Sequence, residues 1–202
     1  SREFDKDKWG YALNSIENDF SLSNIDAIFE DFETEVPFYF ENSFHLAYGH
    51  EILKIHLDFL EDCLSKELKG ASALVELGSG YGSKILNLSK RTIFQNIDLY
   101  GAEYTNSGCE LMRRVADSEK INLNIGKCDL SNLKIEGITI PENSIIFTSY
   151  ALHYVNKLDS NFVDFIKEFK PKAVFHFEPC YSHYSELSIY GLMCKRYIEL
   201  ND

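Results

Sequence analysis

The chain has 202 residues, of which 45% are hydrophobic, 26% charged and 14% aromatic, a composition that excludes disorder and low-complexity or collagen-like structure. A chain of this size buries roughly 70% of its unfolded surface and keeps about 9,700 Å² accessible, so it can build a core without disulfide staples. The net charge of −12, with 20 Lys+Arg against 32 Asp+Glu, argues against nucleic acid as a partner, and no apolar run reaches the roughly 20 residues of a membrane span.

Residues 1–70 read as an N-terminal helical cap. Lys8 to Phe20 places Tyr11, Leu13, Ile16 and Phe20 near one helical face, and Ile25 to Phe32 is a short acidic helix. Val36-Pro37-Phe38-Tyr39-Phe40 is extended, because the residue before proline is pushed out of the helical region. A long helix is predicted from Phe44 to Leu68 on the stripe Leu46, Leu53, Leu57, Leu60 and Leu64, with Gly70 as its C-terminal stop.

From residue 71 to 202 the pattern changes to short apolar runs separated by helices. The runs are Ala73–Leu77, Ile97–Ala102, Leu123–Gly126, Ser144–Ser149 and Ala173–Phe177. Helical segments lie at Ser83–Thr92, Ser107–Glu119, Ser160–Phe169 and Ser185–Leu200. Near-continuous apolar strands alternating with helices predict an α/β fold, a Rossmann-like central parallel sheet of about five strands. The five cysteines, Cys63, Cys109, Cys128, Cys180 and Cys194, are odd in number and lack metal or redox spacing, as expected of reduced thiols in a cytoplasmic protein.

The most informative segment is Val75-Glu76-Leu77-Gly78-Ser79-Gly80-Tyr81-Gly82, which ends the first core strand and opens the next helix. Glycines there allow a sharp turn and close approach of a ligand to the backbone. A dinucleotide fingerprint needs its third glycine where this chain has Ser83. The pattern acidic-x-Gly-x-Gly-x-Gly instead resembles motif I of the class I S-adenosylmethionine-dependent methyltransferases.

The resemblance spans roughly residues 73–178 and implies a cofactor site for S-adenosylmethionine, with S-adenosylhomocysteine as product. Glu76, Gly78, Ser79, Gly80 and Gly82 belong to its glycine loop. Glu103, followed by Tyr104 at the end of the second strand, is implied as the acceptor of both ribose hydroxyls, and Asp129 with Leu130 as the adenine contact. Ser149 and Tyr150, after the fourth strand, would flank the methionine part together with Ala151. Tyr81, Tyr104 and Tyr150 are aromatic faces suited to a sulfonium.

Methyl transfer from a sulfonium needs alignment and exclusion of water, and an oxygen or carbon acceptor also needs a base. Of the six histidines, His153 follows the fourth strand, while His176 and Glu178 end the fifth; these three are the base candidates. His56, beside the leucine stripe, reads as an ordinary helix residue. His176, Glu178 and His183 also suggest a metal-assisted variant. A non-catalytic cofactor-binding scaffold and, less favoured, an NAD-dependent oxidoreductase stay open beside it. The aromatic stretch Phe38–Asn42 and Phe44–His50 is predicted as a lid over the cofactor. The acceptor is expected to be a small molecule, with no membrane partner, and a dimer is open. Because a family member usually continues past the fifth strand with a helix and two more strands, the chain ending at Asp202 is expected to be truncated at its C-terminus.

Overall fold

The computed structural model describes residues 3–16, 18–30, 32–40, 43–155 and 157–201. Glu41 and Asn42 of the predicted lid, and Asp202, lie outside them. A π-helical turn at Glu3–Trp9 runs into helix α1 (Gly10–Ser15), followed by α2 (Leu22–Phe29).

The predicted helix over residues 44–68 is two elements. Strands β1 (Glu35–Phe40) and β2 (Ser43–Tyr48) pair antiparallel as a hairpin, and helix α3 covers only Gly49–Ser65. Phe44, Leu46 and Tyr48 alternate with His45 and Ala47, a period of two that wins over the leucine spacing. The helix starts at Gly49 because the Glu51 carboxylate reaches back to the Tyr48 N–H at 2.9 Å.

The core sheet then forms from β3 (Ala73–Leu77), β4 (Asp98–Glu103), β5 (Leu123–Asp129), β6 (Lys134–Glu136), β7 (Ile145–Ser149) and β8 (Ala173–Phe177), in the order β6-β5-β4-β3-β7-β8. All neighbours are parallel except β6, a three-residue antiparallel return from β5 that sequence periodicity did not predict. Helices α4 (Ser83–Ser89), α5 (Asn106–Glu119), α6 (Phe162–Glu168) and α7 (Ile189–Asn201) connect or follow the strands.

Alternate strand residues feed two apolar clusters. Leu74, Ile145 and Phe147 join α1 to α5 on one face, through Ile25, Leu60, Leu64, Ile85 and Leu111. Ala73, Val75, Leu77 and Ile146 meet Phe162 and Ile166 of α6 on the other. The helices before residue 70 therefore share one buried cluster with the sheet. Strand β8 is an edge of the sheet, and α7 leaves Ile189, Leu192, Met193, Tyr197 and Leu200 exposed.

Candidate functional site

The carboxyl ends of β3, β4, β5 and β7 converge on a cavity of about 940 Å³. This is the edge of an open parallel sheet where ligands bind in doubly wound folds. Of the residues expected at a cofactor, Glu76, Gly78, Ser79, Gly80, Glu103 and Tyr104 line it, as do Asp129, Leu130, Ser149 and Tyr150. Gly82 does not: it is the N-cap of α4, and a side chain there would run into Met112 and Leu86. Its glycine requirement is one of packing and of a left-handed backbone, φ +85°.

Gly78 and Gly80 have φ of +74° and +57°, a left-handed backbone that a side chain would strain. A Cβ on Gly78 would stand 2.4 Å from that of Ala151, and one on Gly80 would stand 3.1 Å from the Trp9 indole. The glycine loop is thus a cradle kept open by the absence of side chains, with the N-terminal turn laid against it.

Glu103 is the centre of the polar wall. Its Oε2 accepts the Gly80 N–H at 3.1 Å, and its Oε1 accepts both the N–H and the hydroxyl of Thr105 at 2.9 and 2.8 Å. A carboxylate offers about four acceptor positions. Three are in use, so engaging both hydroxyls of a vicinal diol means exchanging one existing bond. Asp129 is engaged in a local turn, accepting the N–H groups of Ser131 and Asn132 and the Asn132 amide. This is the turn that sends the chain back into β6, while the carboxylate still faces the cavity.

Glu76 lies fully buried behind the loop and accepts the Ile85 N–H at 3.1 Å. The first turn of α4 is occupied by this side chain. Burial pushes the Glu76 carboxyl up to about 8, against the pull of Lys84 and the Ile85 N–H. The folded chain therefore holds a proton here between the unfolded value of 4.5 and about 8, and stability should fall as pH rises through that window. Thermal melts from pH 5 to 8 should show this decline, on the order of 1 kcal/mol per pH unit, and Glu76→Gln should flatten it. An identical slope in the variant would refute the assignment.

The three base candidates divide. His153, in a 3-10 turn after β7, places Nδ1 3.3 Å from Glu178 Oε2, while Glu178 Oε1 accepts the Ala151 N–H at 2.9 Å. Burial alone would raise the Glu178 carboxyl, but bonds from His153 and the turn's N–H groups outweigh it and hold it below the usual range. The His153 ring stands 3.9 Å from that of Tyr154 and 6.0 Å from that of Tyr150, both cavity residues. None of the three base candidates lines the cavity itself: the His153–Glu178 pair stands behind the lining residue Ala151. His176 is placed differently: its Nδ1 meets the Thr148 hydroxyl at 3.0 Å and its ring lies near Phe162, on the α6 face. A side chain two residues before Glu178 shares its face of the strand yet stops short of the cavity. His183 lies in the turn Tyr181–His183, and among the described residues no three His, Cys, Asp or Glu side chains converge to hold a metal ion.

The described aromatics of the predicted lid do not cover the cavity either. They form the β1–β2 hairpin, where Tyr39 stacks on Tyr190 of α7 at 3.8 Å. The covering residues are Lys8, Trp9, Phe29 and Glu30, from the N-terminal turn and α2. Trp9, Phe29 and Tyr81 form a ring cluster with centroids 5.0 to 5.4 Å apart, and Glu30 meets Lys84 at 3.4 Å. None of these contacts has a local sequence signature. The same holds for His56, whose Nε2 stands 3.0 Å from the Ser149 hydroxyl.

No family model matches the chain, and no curated protein matches it. Solved structures do. A geranyl diphosphate methyltransferase in complex with GPP and sinefungin is 16% identical, with a TM-score of 0.51 over 76% of this chain and 56% of that one. The mitomycin 7-O-methyltransferase MmcR is 14% identical, with a TM-score of 0.47 over 74% of this chain and 45% of that one. A SAM-dependent methyltransferase from Aquifex aeolicus is 18% identical, with a TM-score of 0.40 over 61% of this chain and 66% of that one. The chain spans about half the length of the solved structures it matches. The likeness to the first of them shows the fold: a mostly parallel central sheet with flanking helices, as in class I S-adenosylmethionine-dependent methyltransferases.

Proposed function

We propose that this chain is the cofactor-binding core of an S-adenosylmethionine-dependent methyltransferase that acts on a small-molecule acceptor. The observation that carries the reading is the placement of Glu103. A buried carboxylate bridges the glycine loop and the start of α5 at the mouth of a large cavity, in the position where a ribose diol would be held.

The residues present suit that cofactor. Gly78 and Gly80 keep the cradle open, Glu103 accepts ribose hydroxyls, and Asp129 with Leu130 takes the adenine side. Tyr104 and Tyr150, both exposed, offer ring faces to a cation, whereas Tyr81 is buried against Trp9 and Phe29. Glu76, protonated in the ligand-free chain, can ionise when an ammonium group enters beside it. When bound, S-adenosylmethionine supplies a methyl group on a sulfonium that leaves as a neutral thioether, so no acid is required. His153, oriented by Glu178, is the group we assign to take a proton from an acceptor hydroxyl or amine at the cavity rim. Small-molecule use fits the acidic surface, and the neighbour named for geranyl diphosphate supports the same substrate size.

Calorimetry with S-adenosylhomocysteine tests the reading, with NADH as the comparison ligand. Micromolar binding of the first and none of the second is expected. Binding of NADH alone would overturn the proposal in favour of a dinucleotide enzyme, and binding of neither would remove the cofactor altogether.

A further inference from the structure

Helix α3 reaches the end of β7 through a hydrogen bond of His56. His56 Nε2 and Ser149 Oγ are 3.0 Å apart across 93 residues of sequence. Ser149 is only 7% exposed, and it lines the cavity. The residue after it, Tyr150, has φ of +53°, a conformation uncommon for a bulky residue. Its N–H is tied to the Phe177 carbonyl at 3.1 Å, and its ring lies 5.7 Å from that of His56. Strained backbone held by its surroundings clusters at functional sites.

The order of the strands decides which part of an elongated ligand meets Ser149. Glu103 ends β4 and Asp129 ends β5, on one side of the glycine loop that follows β3. Ser149 ends β7, on the other side. A nucleoside ligand with its ribose on Glu103 and its chain across the loop therefore presents its far end to Ser149.

We propose that His56 is a positioning residue: it accepts the Ser149 hydroxyl proton in a hydrogen bond, so that the Ser149 oxygen turns its lone pairs toward the transferring position of the cofactor. The inference rests on the methyltransferase reading. Burial, aided by the charge of Lys84, holds the imidazole neutral by pushing its pKa down to about 4, so Nε2 can be bare. Of the two neutral tautomers, the one with a bare Nε2 suits a cation in the cavity. The other would point the serine proton at the positive charge. The device needs a histidine from the helical cap, and so ties the cap to the reacting end of the site.

Two ligands separate this role from a structural one. Sinefungin carries an ammonium group where the cofactor carries its transferring methyl, and S-adenosylhomocysteine carries nothing there. Calorimetry at pH 7.5 on the full chain would compare the wild type with His56→Ala, His56→Gln, Ser149→Ala and the His56→Ala/Ser149→Ala pair. Each alanine variant should weaken sinefungin about tenfold more than it weakens S-adenosylhomocysteine. The pair should be no weaker than Ser149→Ala alone, because His56 acts through that hydroxyl. His56→Gln, whose amide oxygen can accept the same proton, should recover part of the loss, and it carries the test should His56→Ala not fold. Equal losses for both ligands, or an unchanged ratio between them, overturn the proposal while leaving the methyltransferase reading in place. A wild type that binds neither compound removes that reading, and this one with it.

Discussion

Replacing Glu103 by alanine should lower the affinity for S-adenosylhomocysteine by about a hundredfold or more. Hydrogen bonds to a charged group contribute about 1.5–3 kcal/mol each, so two ribose hydroxyls on one buried carboxylate give about 3–6 kcal/mol, and the one protein bond exchanged for them brings the net to about 3 kcal/mol. The carboxylate also organises the protein side. Gly80 loses the partner of its N–H, and Thr105, whose hydroxyl caps α5 by accepting the Gly108 N–H at 3.1 Å, loses its anchor. The cradle should therefore be looser as well as short of an acceptor. Glu103→Gln separates the two effects. The amide keeps the shape and one oxygen but presents an NH₂ group to N–H donors that need acceptors. It should bind better than the alanine variant and still worse than wild type. Calorimetry on variants with intact melting transitions checks this, and wild-type affinity in Glu103→Ala would sink the ribose assignment.

The parts of this fold that sequence reveals are those whose signal is local. Ala73–Leu77 coincides with its predicted run, because a strand inside a parallel sheet needs apolar residues at nearly every position, and Ala173–Phe177 coincides with its own although β8 lies at the edge and is only partly buried. The glycine loop is legible because its backbone demands residues without side chains. Leu46 shows where local reading fails. It continues the spacing of Leu53, Leu57, Leu60 and Leu64, yet those four are buried in α3 while Leu46 is 66% exposed in a hairpin. A strand and a helix can share one stripe for a turn, and pairing with β1 decides between them. Strand β6 is too short for any period to show. The cap contacts of Trp9, Asp26 and His56 join residues far apart in the chain, which no single-sequence pattern encodes. The accessible surface, 11606 Å², exceeds the roughly 9,700 Å² expected for this size. Part of the apolar share of it lies on α7 and the hairpin, where Ile189, Met193, Phe44 and Leu46 face outward.

The other large effect expected is on stability, from Asp26→Ala. Asp26 stands on α2 and is buried, with its Oδ1 accepting the Tyr81 hydroxyl at 2.8 Å and the Ser83 hydroxyl at 2.7 Å. Its Oδ2 accepts the Asn87 amide at 2.8 Å. Alanine strands those donors at once, and Tyr81, 4% exposed, has no water to turn to. An unmade buried hydrogen bond costs about 1–3 kcal/mol, and partial relaxation leaves a total of about 3–5 kcal/mol. For a domain of this size that is a fall of about 10 °C in Tm. Asp26→Asn should cost much less, since its oxygen serves two donors and the Asn87 amide can rotate to face its nitrogen. The same carboxylate fastens α2 to the segment that follows the glycine loop, alongside the Glu30–Lys84 pair and the Trp9–Phe29–Tyr81 rings. Loss of the tether should thus weaken S-adenosylhomocysteine several-fold in addition. Removing an exposed helix pair such as Lys66–Asp62, by contrast, should change neither quantity measurably. Calorimetric melts settle the point: a Tm for Asp26→Ala within about 2 °C of wild type would show that the buried network is not what holds the cap to the loop.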